Sequence, residues 1–137
     1  MKWTLVAAVL LTSAPGTMAQ PVKNIAIESS YTLEPMPNYA RCNDAADLTQ
    51  LTDGKYTKGY FWIQTSTVGW QEKKPVIITL DLGKVKPIRG VSFHTAAGFA
   101  DVKWPLAIRV LTAGEDKKFR EIGDLVKLSA EQHGPLI

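Results

Sequence analysis

The sequence predicts an all-β protein, a sandwich or barrel of short strands, and three observations predict it. Val76-Ile-Ile-Thr-Leu-Asp-Leu82 places Val76, Ile78, Leu80 and Leu82 on one face and Ile77, Thr79 and Asp81 on the other, which is the period of two of a strand. Turn residues recur at short intervals, at Pro35 and Pro37, Asp53-Gly54, Gly83 and Gly114. No long amphipathic helix interrupts them.

Taken in order, Asn24 to Glu28 alternates, with Ile25 and Ile27 on one face, and reads as a strand. Glu34 to Asn38 is a loop, because its two prolines remove donors and fix the backbone. Asn43 to Leu51 suits a short helical turn, and Asp53-Gly54 a tight turn. After the Val76–Leu82 strand, Ile88 to His94 reads as another, with Val91 and Phe93 inward. Pro105 to Leu111 follows, with Leu106, Ile108 and Val110 inward. Gly114 to Lys117 turns the chain, and Phe119 to Ile122 returns antiparallel. Leu125 to Leu128 reads as a last short strand and Glu131 to Ile137 as loop. That makes roughly five or six strands against the seven or eight usual in sandwiches. The pattern therefore predicts a domain lacking its last strands.

The chain has 137 residues, the size of one domain. Sixteen Lys and Arg against thirteen Asp and Glu give a net charge of +3. The basic residues are scattered, without the dense stripe or reading motif of a nucleic-acid surface. Residues 1–19 read as a signal peptide: Lys2 gives the positive start, Trp3 to Leu11 the apolar run, and Thr17-Met-Ala19 the small residues before a cut at Gln20. The run is too short to span a membrane. The mature domain, 20–137, is thus expected to be secreted or extracellular, with a periplasmic or cell-surface location also open. The lone Cys42 forms no internal disulfide and reads as a buried free thiol. Neither it nor the two histidines, His94 and His133, sits in a nucleophile, zinc or P-loop signature. Independent catalysis is not expected.

Five pieces in order carry a resemblance: Ser29-Ser-Tyr31; Leu51-Thr-Asp-Gly-Lys55; Trp62; Val68-Gly-Trp70; and Pro75-Val-Ile-Ile-Thr-Leu-Asp-Leu-Gly83. Ile88 to His94, Trp104-Pro-Leu-Ala-Ile108, Val110-Leu111, Phe119 and Ile122 to Leu125 continue it. The series resembles the discoidin domain, also called the coagulation factor V/VIII type C domain, whose galactose-binding-like fold is shared with carbohydrate-binding modules. The resemblance implies an eight-stranded jelly-roll β-sandwich, of which this chain matches the front three-quarters.

The resemblance also implies a calcium site at the Asp53-Gly54 turn. Asp53 would bind through its side chain, Gln50 and Lys55 through backbone carbonyls, and Thr57 through a further oxygen. Calcium favours many oxygen ligands in a loose geometry, and an ordinary turn is the alternative. A sugar site needs flat apolar faces for pyranose rings and polar groups for hydroxyls. Trp70, Trp104 and His94 are the candidate faces, with Lys103 and Arg41 as donors. Core packing is the alternative for both tryptophans and a structural hydrogen bond for His94, while Trp62 reads as core.

The function expected is a secreted, non-catalytic module binding galactose-like glycans, with a carbohydrate or glycoconjugate as partner. A catalytic domain fused in a longer parent would fit the same family. A protein- or lipid-surface adhesion domain and a structural accessory to a polysaccharide-active enzyme are the alternatives. The charged tip Gly114-Glu-Asp-Lys-Lys118 argues against membrane insertion.

Overall fold

A computed structural model describes residues 22–72 and 75–133. The expected signal peptide and its cleavage position, the Lys73-Lys74 pair and the Gly134-Pro135 end lie outside the described residues. Among the described residues the fold is β-rich, with two antiparallel strand pairs and one α-helix.

Strand β1, Ser30–Glu34, pairs with β2, Ile77–Asp81. The register sets Tyr31 opposite Leu80 and Leu33 opposite Ile78. Opposed residues share a face, so these four make an apolar face, while Ser30, Thr32, Glu34, Ile77, Thr79 and Asp81 make the other. Tyr31 and Leu33 are buried. The alternation read at residues 76–82 is therefore a real strand over Ile77–Asp81, but its expected inner face is only partly covered: Ile78 and Leu82 are half-buried, and Val76 and Leu80 are exposed.

The segment before β1 corrects an expectation. Residues 25–28 form a turn, not a strand. Asn24 Oδ1 accepts the Ala26 N–H at 2.9 Å, and the Ser29 N–H donates to Ala26 O at 3.0 Å. The asparagine side chain offers the backbone a local partner that competes with a ladder. Two isoleucines at alternate positions cannot outweigh it.

Between β1 and β2 the chain packs behind the apolar face. A 3-10 helix, Ala45–Leu48, is capped by Asp44 Oδ1, which accepts the Ala46 N–H at 2.7 Å. A second, Gln50–Thr52, follows. The helical turn expected over Asn43–Leu51 is thus present. The free thiol of Cys42 is buried, as expected. Gly69 lies against it: a Cβ there would sit 2.7 Å from Cys42 Sγ and 3.2 Å from Tyr39 Cβ. Its carbonyl accepts the Asn38 and Tyr39 N–H groups, each at 3.2 Å. Only glycine lets these two segments come so close.

The second pair is a hairpin of β3, Arg109–Thr112, and β4, Arg120–Asp124, with a bulge between Val110 and Leu111. The turn expected at Gly114–Lys117 closes on the Lys117 N–H to Gly114 O bond of 3.1 Å. β3 starts later than the pattern predicts. Pro105 has no N–H to donate, and Leu106, expected inward, is 98% exposed. Ile108 and Val110 are half-buried, as expected.

Two further strands of the sequence reading are not formed. Residues 88–94 are irregular, and Ile88, Val91 and Phe93 are exposed. Their alternation marks a face, but a strand also needs a partner ladder, and none is hydrogen-bonded to them among the described strands. Residues 125–128 open an α-helix, α1, Leu125–His133, which also replaces the expected loop over residues 131–133. Asp124 causes this: its Oδ1 accepts the Val126 N–H and the Ile108 N–H, both at 3.0 Å. The first bond is an N-cap. Leu125, Val126, Ser129 and Ala130 are then half-buried along one side, the spacing of a helix face.

The β1–β2 and β3–β4 pairs make at most marginal contact with each other. The apolar residues buried among those described, Tyr31, Leu33 and Cys42, all belong to the first half. A closed jelly roll is therefore the finer expectation, and paired antiparallel strands are what is present.

Two predictions follow from this packing. Leu33→Ala should cost about 2–5 kcal/mol in denaturant unfolding, whereas Leu106→Ala should change stability by less than about 0.5 kcal/mol. Equal losses would mean that Leu106 is buried in solution. The second concerns Asp124, whose carboxyl is held below its usual range chiefly by the Ile108 N–H and then by the helix-end N–H groups. Its contribution is present above the unfolded value of about 3.9 and is lost as pH falls through the lower folded value. Asp124→Asn keeps an acceptor but no charge, so its melting midpoint should respond less to acid below about pH 4 than that of the parent chain. An unchanged acid response would remove Asp124 from this role.

Candidate functional site

Aromatic side chains gather on the irregular segments outside the strands. Trp62, in a short 3-10 helix Phe61–Ile63, is their centre. Its ring stacks on Phe99 with centroids 5.0 Å apart and 30° between planes. Tyr60 and Phe61 meet the same indole edge-on at 5.3 and 5.2 Å. These rings are not sequestered: Trp62 and Phe61 are half-buried, Tyr60 is exposed, and Phe99 is 63% exposed. The reading of Trp62 as a core residue therefore gives way to a position on a partly open aromatic shelf.

Phe99 also lines a trough of about 450 Å³ formed by residues 98–104, within the size range of small-ligand sites. Its lining residues include Asp101, Lys103 and Trp104. The Gly98 N–H donates to Val102 O at 2.9 Å and the Val102 N–H to Phe99 O at 3.0 Å, which folds the segment back on itself. Ala100 and Asp101 both take left-handed backbone angles, φ 50° and 61°. Such a trough can set a flat ring against the indole and offer hydroxyls one acceptor and one donor.

Lys103 and Trp104, two of the residues expected at a sugar site, both line this trough. His94 is placed against Tyr56, ring centroids 4.7 Å apart. Trp70 sits elsewhere, in a small cleft of about 70 Å³ with Pro35, Asn38 and Val76. Its Nε1 already donates to Pro35 O at 2.8 Å. Arg41 is exposed in the turn before Cys42 and lines neither cavity. Phe99, Tyr60 and Asp101 were not singled out from sequence. The one available signal was the density of aromatic residues from Tyr56 to Trp62.

At the Asp53-Gly54 turn, Asp53 Oδ1 accepts the Lys55 N–H at 2.8 Å, and Gly54 takes φ 76°. Gln50 turns its amide the other way, donating to Asp47 Oδ1 at 2.8 Å. The Thr57 hydroxyl donates to Ser66 O at 2.5 Å and lies 3.1 Å from the Thr67 hydroxyl. Among the described residues no cluster of three or more His, Cys, Asp and Glu side chains is gathered for a metal ion. What the turn can offer a cation is the Asp53 carboxylate and backbone carbonyls, including those of Gln50 and Lys55.

Behind the turn lies a buried polar group that the sequence did not mark. Asp47 is 1% exposed. Its Oδ1 takes the Gln50 amide, while Oδ2 is buried without a partner. The Tyr31 hydroxyl donates to Asp47 O at 2.7 Å and accepts the Leu51 N–H at 3.1 Å. Burial pushes the Asp47 carboxyl up from its ordinary range. Burial and then the Asp47 charge push the Cys42 thiol up as well, which removes it further from thiolate chemistry.

Compared with known proteins, the chain matches no family model, no curated protein and no solved structure.

Proposed function

We propose that the chain is a secreted, non-catalytic binding module of the discoidin, galactose-binding-like type, and that it recognises glycans at the 98–104 trough. The observation that carries this reading is the stacked, solvent-facing Trp62–Phe99 pair beside a trough holding Trp104, Asp101 and Lys103. The apolar face of a galactose-like ring would rest on the indole of Trp104, with its hydroxyls on Asp101 and Lys103. Calcium is the structural ion this reading includes, on the Asp53 carboxylate with the Gln50 and Lys55 carbonyls. Thr57 joins that set only if its hydroxyl leaves Ser66. Such a module would act alone at a cell surface or beside a fused catalytic domain.

A glycan array followed by titration calorimetry tests the sugar reading. Trp104→Ala and Phe99→Ala should each weaken binding about tenfold or more, the loss of one stacking face. Trp70→Ala should leave affinity unchanged. A folded chain that binds no glycan, or binds only liposomes or a protein, overturns the reading. For the ion, calcium should raise the melting midpoint of the parent chain, since it binds the folded state alone, and Asp53→Asn should abolish the rise. No calcium response in the parent chain removes the ion from the proposal.

A further inference from the structure

Phe99 lines the trough and stacks on Trp62 at 5.0 Å, and Trp62 in turn meets Tyr60 edge-on at 5.3 Å. The three rings form a continuous series that begins in the trough and runs out of it. Trp62, at the middle, is half-buried and is braced edge-on by Phe61 at 5.2 Å. The outer rings are open to solvent, Phe99 at 63% and Tyr60 at 66% exposure. A single exposed aromatic residue is ordinary, whereas a contiguous exposed patch marks an interaction site.

Tyr60 is held in place by its own loop. Gly59 takes φ 78°, in the left-handed region open to glycine, and its carbonyl accepts the Phe61 N–H at 2.8 Å. The Gln64 side-chain amide donates to Lys58 O at 2.8 Å, and the Ile63 N–H donates to Tyr60 O at 3.3 Å. These bonds close residues 58–64 on themselves. The Tyr60 hydroxyl, unlike that of Tyr31, makes no hydrogen bond among the described residues. A ring braced in this way loses little freedom when a ligand settles on it, and its hydroxyl is both donor and acceptor.

We propose that Tyr60 is the platform of a second sugar subsite, so that the ligand is an oligosaccharide, with one unit in the trough on Trp104 and a further unit on Tyr60. The inference rests on the glycan reading of the trough and extends it from a single sugar to a chain. A pyranose ring has an apolar face and a rim of hydroxyls. The Tyr60 ring takes the face, and its hydroxyl takes one group of the rim. Phe99 and Trp62 are the apolar surface joining the two subsites. Once the first unit is seated, the second binds within the same complex, so two weak contacts add into a firmer one.

Titration calorimetry of the full chain with galactose, galactobiose and galactotriose tests this, for the parent, Tyr60→Ala, Tyr60→Phe and Trp104→Ala. The parent should bind the two oligosaccharides about tenfold or more tighter than galactose. Tyr60→Ala should lose that gain and bind galactose as the parent does. Tyr60→Phe, which keeps the face and loses the hydroxyl, should retain most of the gain. Trp104→Ala should weaken all three sugars. If Tyr60→Ala fails to fold, the parent's own ratio between galactotriose and galactose decides. Equal parent affinity for all three sugars overturns the second subsite and leaves the trough standing, as does a Tyr60→Ala variant that weakens galactose as much as galactotriose. A parent chain that binds none of the three overturns the galactose reading of the trough and the subsite with it. A dimer of the free chain in sedimentation that Tyr60→Ala dissolves also overturns the subsite, since a second copy would then cover the ring.

Discussion

The Tyr31 hydroxyl is the interaction on which the best-packed part of the molecule depends. It donates to Asp47 O and accepts from the Leu51 N–H, so one phenol satisfies a carbonyl and an amide that two consecutive 3-10 helices would otherwise leave open. Short 3-10 segments make poor internal hydrogen bonds and need such outside partners. The ring of the same residue lies on the apolar face opposite Leu80. Tyr31 thereby joins two levels of structure, the β1–β2 ladder and the loop stacked behind it. Burying a tyrosine is favourable only when its hydroxyl finds a partner, and here it finds two.

That region also shows what was readable in advance. The β2 strand was legible because its alternation is matched by a partner ladder on β1, and the turn at Gly114–Lys117 because its composition permits little else. The helical turn and the buried Cys42 were legible for similar local reasons. What failed was decided by single side chains or by partners. Asn24 closes a turn onto Ala26, and Asp124 caps a helix, each with one carboxamide or carboxylate oxygen. A four-residue apolar run such as Leu125–Leu128 fits a strand or a helix equally well, so the cap decides. Residues 88–94 have the right alternation and no paired strand, which no inspection of the segment itself can reveal.

The candidate site was legible in its residue types and not in its grouping. Lys103 and Trp104 are neighbours in sequence and remain neighbours on the trough. Trp70 lines a different cleft, with its indole N–H committed to Pro35 O. Trp62 misled for a general reason. A tryptophan between Phe61 and Ile63 looks like core, yet the residues around it close no layer over it, and its neighbours are the equally open rings of Tyr60 and Phe99. Asp47 had no signal at all: a carboxylate in a polar stretch is taken as solvated until a tyrosine is seen to cover it.

The backbone of the trough is strained. Ala100 and Asp101 both occupy the left-handed region, which disfavours any side chain with a Cβ by roughly 1–2 kcal/mol per residue. Aspartate tolerates the region better than most, but alanine has no polar group to offset the strain. Two such residues in succession turn the chain sharply between Phe99 and Val102 and leave Phe99 stacked on Trp62 rather than folded inward. A sequence free to relax the strain would carry glycine at one of these positions, as it does at Gly98. Left-handed residues also stand in the turns at Glu28 and Lys117, so the pair at Ala100 and Asp101 differs from them in being consecutive. What it shapes here is the segment that carries Phe99, Asp101, Lys103 and Trp104 along one trough.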